Sequence, residues 1–207
     1  MGKSLILYGG GVAGLLLAGH LAAAPAAELR VTGEVQHPGC MVIPPNGGSY
    51  DFGALPRVSA VKGKTVALPA MTQTWRVRCD GAAYLAVTPL DNRMMTVSTP
   101  AETHFGLGAT SEGAALGYFQ LDVTNAQVDG GRAMLRTAHG EALSSQGKAL
   151  LATGKRVEWI MANDVRRSAK DYAMDITVTP YLAAGNINPV SPAELDGSVT
   201  LNFDFGL

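Results

Sequence analysis

Charge is scarce in this chain. Asp, Glu, Lys and Arg make up 16% of its residues, against about a quarter in an ordinary globular protein. The signs balance, 16 basic against 17 acidic, and no long basic run occurs. Electrostatics therefore gives no reason to expect a nucleic-acid partner. Histidine occurs four times, at His20, His37, His104 and His139. All four are isolated and read as loop residues. With only two cysteines beside them, they lack the spacing of a zinc site. No G-x-S-x-G elbow is present. Asp164, Asp171 and Asp175 beside Arg166 and Arg167 come closest to an acid–base cluster, but read better as a solvated connection and a strand edge. No catalytic constellation emerges, and neither an enzyme nor a cofactor or metal is expected.

Helical periodicity is missing too. After the N-terminal segment no run of ten or more residues repeats at 3.6. Alternation is present instead, the mark of strands with one buried face. Trp75, Val77 and Cys79 fall on one side, with Arg76 and Arg78 on the other. Phe119, Leu121 and Val123 alternate with polar neighbours. So do Val157, Trp159 and Met161, and then Tyr172, Met174, Ile176 and Val178. The cleanest strand closes the chain, with Val199, Leu201, Phe203 and Phe205 on one face and Thr200, Asn202 and Asp204 on the other. Trp75, Trp159, Phe203 and Phe205 could form a ligand platform, but their alternation favours core packing.

Tyr50–Gly53, Thr65–Leu68 and Tyr84–Thr88 are shorter strand candidates. Asp80-Gly81 reads as a tight turn and Pro89 as a strand end. The 25 glycines suit many strands and turns. Turns, one or two short strands and a loop are expected over 125–155, and a proline-bounded loop over 186–192. The pattern predicts one all-β domain, an antiparallel sandwich or barrel. Two cysteine-bearing strands joined by a long connection suggest a staple between Cys40 and Cys79. A disulfide closing that loop would contribute roughly 4 kcal/mol on the chain-entropy argument.

Residues 1–27, MGKSLILYGGGVAGLLLAGHLAAAPAA, carry two readings. One is a secretory signal peptide over 1–26, with Lys3 before an apolar stretch and Ala24-Pro25-Ala26 as the cleavage zone. Export would supply an oxidising compartment for the cysteines. The other is a dinucleotide-binding fingerprint of an oxidoreductase. Gly9, Gly11 and Gly14 follow the apolar Leu5–Tyr8, with Glu34 about 20 residues on as the ribose acid. The later chain lacks the strand–helix alternation that a parallel sheet requires. Pro25 and the alanines also suit a cleavage zone. Export is the preferred reading, with 27–207 as the mature domain and no retained membrane span.

With cysteines and strands placed, the mature chain resembles fimbrial subunits of the chaperone–usher type, and among them an uncharacterised branch of secreted fimbrial-like bacterial proteins. The carrying residues are Leu29–Val35 before Cys40, then Tyr50-Asp51-Phe52-Gly53, Trp75–Cys79, Phe105-Gly106-Leu107-Gly108 and the terminal Leu195–Phe205. The resemblance implies an immunoglobulin-like β-sandwich, pilin-like and lacking its last strand, with one disulfide between the first two core strands. It implies a strand-acceptor groove bordered by Leu29, Val31 and Val35 and by Val199, Leu201, Phe203 and Phe205. A periplasmic chaperone would fill that groove first. At the usher, a strand from another fimbrial subunit would replace the chaperone. The location implied is the periplasm, then a cell-surface fimbrium or the medium. Two departures stand out: Gly206 holds the penultimate place where pilins carry an aromatic, and about two residues separate the cleavage point from Leu29. They imply a subunit that accepts a strand without donating one. The alternative is a self-closed exported binding module using the 91–117 and 125–155 loops.

Overall fold

The structure is a computed structural model and describes residues 38–53, 65–137, 148–183, 185 and 194–206. The signal segment, Gly9, Gly11, Gly14, Leu29, Val31, Val35, His20, His37 and His139 lie outside the described residues. By contacts the chain divides into Met1–Val35 and Gln36–Leu207; the second unit holds every described residue.

That unit is all-β and antiparallel. Its strands are β1 (Cys40–Ile43), β2 (Thr65–Ala67), β3 (Met71–Asp91), β4 (Phe105–Gly106), β5 (Gly117–Val128), β6 (Gly131–Arg132), β7 (Met134–Thr137), β8 (Ala149–Leu150), β9 (Val157–Ile160), β10 (Ala169–Ala183) and β11 (Val199–Gly206). Two sheets share the long strand β3. Its first half pairs with β1 and β10, and β10 pairs in turn with β5. Its second half pairs with β11 and β9, and β9 with β7. Beyond β5, the short strands β4, β8 and β6 take successive stretches of its edge.

The two inner faces form one core. Val77, Leu121, Val123, Tyr172, Met174 and Ile176 of the larger sheet join Leu85, Val87, Leu135, Val157 and Trp159 of the smaller. This is the expected sandwich. Each fully buried aliphatic side chain contributes about 1.5–3 kcal/mol, and β10 places its whole apolar face there, with Met174 and Ile176 both 2% exposed.

The expected turn at Asp80-Gly81 is absent, because β3 runs through it on the way from one sheet to the other. Asp80 instead ties down the start of β1. Its Oδ1 accepts the Gly39 N–H at 2.8 Å, and its own N–H donates to the Gly39 carbonyl at 3.0 Å. Gly81 fits because a Cβ there would sit 3.3 Å from Pro38. Pro89 does not end the strand either. It pairs in register with Leu201, and its carbonyl accepts the Gly154 N–H at 2.7 Å, while its missing donor leaves no gap on the side that β9 does not reach. The true hairpin turn is Asp129-Gly130, both at positive φ (47° and 76°) between β5 and β6, as a two-residue primed turn requires. Tyr50–Gly53 forms no strand. It follows a 3-10 turn at Pro45–Gly48 as an irregular strap.

Tyr172 gives a first prediction. It is 2% exposed and its hydroxyl donates to the Ala83 carbonyl at 2.5 Å, with the Arg167 carbonyl 3.1 Å away. Burial, opposed in part by backbone hydrogen bonds, pushes its pKa up from 10.0 to about 12. The folded state then holds this proton more tightly than the unfolded chain. Stability is fully present below pH 10 and lost as pH climbs through 10 towards 12. Urea unfolding should weaken by about 2 kcal/mol across that window. Tyr172→Phe should flatten this decline, at a cost of about 1–2 kcal/mol at pH 7 from the orphaned carbonyl.

Candidate functional site

One end of the sandwich is open. Between β11, the inner face of the larger sheet and the strap lies a groove of about 700 Å³. Its walls follow from the strand faces. From β3 comes Trp75; from β5, Phe119 and Leu121; from β10, Ile176 and Val178; from β11, Val199, Leu201 and Phe203. Val42, Pro44, Tyr50 and Phe52 close one side, and Leu195–Ser198 one end. Gly197 is required at that end, because a Cβ would come within 2.8 Å of the Phe119 ring.

The contrast between β10 and β11 explains the opening. Both alternate cleanly, but the inner residues of β10 are buried while those of β11 are only half-buried. Among the described residues β11 pairs with β3 alone. Its other edge has no strand beside it among the described residues, and none of them completes the cover over Val199, Leu201 and Phe203. Phe205 shares their face and packs against the core, away from the groove lining. The rings of Trp75 and Phe203 stack across the gap at 6.5 Å.

A short polar chain runs through this apolar lining. Trp75 Nε1 donates to the Tyr50 hydroxyl at 3.0 Å, which donates to the Ile176 carbonyl at 3.0 Å. Burial pushes the Tyr50 pKa up, the Trp75 bond pulls it back, and Asp175 raises it again, so the hydroxyl remains a donor at neutral pH. Gln73 Nε2 donates to the Ser49 carbonyl at 2.8 Å. Its Oε1 is buried and accepts no bond among the described residues. The arrangement can hold an extended apolar segment, with hydrogen bonds offered along the β11 edge.

Cys40 and Cys79 form the expected disulfide, directly opposite each other on β1 and β3. The bond holds the edge strand that carries Val42 against the sheet. Of the two tryptophans expected in core packing, one is there and one is not. Trp159 is core, 2% exposed and edge-on to Tyr172 at 6.1 Å, whereas Trp75 is half-buried in the groove wall. His104 is no free loop residue: its ring stacks on Tyr118 at 3.7 Å, and Tyr118 on Tyr181 at 4.9 Å. Asp164, Asp171 and Asp175 are dispersed, in keeping with a solvated connection and a strand edge. Asp164 pairs with Arg136, Asp171 with Arg78, and Asp175 bonds Thr74 and Asn125. Sequence reading missed the groove's contributions from Pro44 and from Leu195–Ser198, whose only signal was proline and glycine flanking the strands.

The fold and site define a disulfide-linked antiparallel β-sandwich with an open apolar groove beside an edge strand. A family described as a protein of unknown function (DUF1120) matches residues 29–116, a stretch that holds both cysteines and β1 to β4. No curated protein matches the chain. No helix among the described residues is long and apolar enough to cross a membrane.

Proposed function

We propose that this chain is a non-enzymatic, exported fimbrial-like subunit whose immunoglobulin-like sandwich lacks its last strand and accepts one from a partner. The carrying observation is the half-buried face of β11 beside the open groove. An edge strand with an uncovered apolar face is a liability in solution. A segment of alternating apolar residues would pair with the edge and bury Val199, Leu201 and Phe203 against Trp75 and Leu121. The eight residues of β11 span about 26 Å at the usual strand rise, room for one such strand. In this reading a periplasmic chaperone supplies the strand first, and another subunit supplies it at the usher. The resemblance of Trp75–Cys79 and Leu195–Phe205 to chaperone–usher subunits supports it, as does the matching cysteine placement.

The test is expression of the full chain in a Gram-negative host, alone and with a fimbrial chaperone. Beside it runs a fusion carrying a flexible linker and an alternating Val/Thr strand after Leu207. Accumulation is expected only with the chaperone or as the fusion. The fusion should melt about 5–10 °C above the chaperone-released protein, as expected for about 2–3 kcal/mol of added stability. A monomer that accumulates without a chaperone, and whose melting is unmoved by the fused strand, would instead be a self-closed binding module.

A further inference from the structure

We propose that the outer face of the larger sheet carries a second site, a pocket for one carboxylate or sulfate group on a small acidic ligand. The pocket holds about 90 Å³, the size of a single anionic group, and shares no lining residue with the groove. It is built by register. Ile43, Arg76, Ala173, Gln127 and Arg132 stand opposite one another, in that order, across β1, β3, β10, β5 and β6. Side chains opposite one another in a ladder share a face, so the short Ala173 makes a hollow with the Arg76 guanidinium on one side and the Gln127 amide on the other.

Charge is left over in this row. Asp171 engages Arg78 at 3.0 Å. Asp129 Oδ1 is taken by the backbone N–H groups of Lys170 and Asp171, both at 3.1 Å. Arg76 and Arg132 make no ion pair among the described residues. A planar guanidinium with free donors matches a carboxylate or sulfate two-pronged. Arg132 stands three strand spacings from Arg76, about 14 Å between backbones; it does not line the pocket but adds positive charge to the approach. Ile43, 38% exposed, offers an apolar rim to the ligand's carbon skeleton.

The test is a nuclear magnetic resonance titration of the full chain at constant ionic strength. The probes are sodium glucuronate and inorganic sulfate, with glucose as the neutral control. Saturable shifts of the Arg76, Ala173 and Gln127 amides are expected with at least one anion and none with glucose; the anion that binds identifies the group preferred. Arg76→Gln should weaken binding at least tenfold and Arg132→Gln by a smaller factor, with melting unchanged in both because the side chains are exposed. The proposal is overturned if neither anion gives a saturable shift, if glucose shifts the same signals, or if both variants bind as the native chain does.

Discussion

Removing the disulfide, as Cys40→Ala with Cys79→Ala, should cost about 4 kcal/mol of unfolding free energy. The cysteines lie 39 residues apart in sequence, and closing a loop of that length removes about 4 kcal/mol of chain entropy from the unfolded state. The native side points the same way. β1 has four residues, and among the described residues it pairs only with β3. Without the bond, that short edge strand keeps its ladder, the Gly39–Asp80 contacts and little else. In urea the midpoint should fall by roughly 1.5–2 M for an m-value near the upper end of the small-protein range. Hydrogen exchange should then quicken first at Met41 and Ile43. Faster exchange there would loosen the groove wall made by Val42, Pro44 and Tyr50, so the disulfide also sets the shape of the proposed acceptor. An unchanged midpoint under reductant would mean that β1 is held by its backbone ladder alone.

Strands that bury one face completely were legible because burial imposes strict alternation. β10 follows the pattern from Tyr172 onward and β11 throughout, and β5 does so until Asn125, whose positive φ of 51° accompanies a register shift against Ala173 and Asp175. What stayed hidden depends on contacts distant in sequence. Asp80-Gly81 carries the local chemistry of a turn, yet two sheets pull β3 straight through it. Tyr50–Gly53 has strand-like composition, but it runs as a strap along the groove and pairs with no strand. Its Tyr50 hydroxyl instead reaches the Ile176 carbonyl, 126 residues away. The groove itself came only from the resemblance, while the alternation of Val199, Leu201 and Phe203 marked their shared face. Alternation names the inner face but cannot reveal that this face is only half-covered. The hollow over Ala173 was not legible at all, since its lining comes from β1, β3, β5, β10 and the turn at Gly130, which are far apart in sequence.

Glu158 was misjudged by the same logic, and its replacement should rank with loss of the disulfide. Alternation placed it on the solvent side of β9, yet it is 8% exposed, the one buried charged residue among those described. Three guanidinium groups cover it: Arg166 at 3.3 Å, Arg136 at 3.5 Å and Arg156 at 3.8 Å. Each is anchored a second time, Arg136 by Asp164, Arg156 by Asp204 at 2.7 Å, and Arg166 over the Tyr84 ring at 4.9 Å. The network ties β7, β9, β11 and the segment after β9 into one surface. Glu158→Ala would leave three arginines crowded around an empty centre with only two carboxylates at its rim. Breaking a buried ionic network by removing one partner costs about 3–5 kcal/mol. The arginines are themselves 22–44% exposed and can turn to water, so about 3 kcal/mol is expected. Glu158→Gln keeps the shape and one acceptor and should lose about half as much. Because the repulsion left behind is partly solvent-facing, raising salt from 0.05 to 0.5 M should restore part of the loss in Glu158→Ala while moving the native chain little. Denaturant unfolding at the two salt concentrations measures both effects. A salt-independent loss of equal size in both variants would mean that Glu158 acts through packing, with its three cations already satisfied by water and by Asp164 and Asp204.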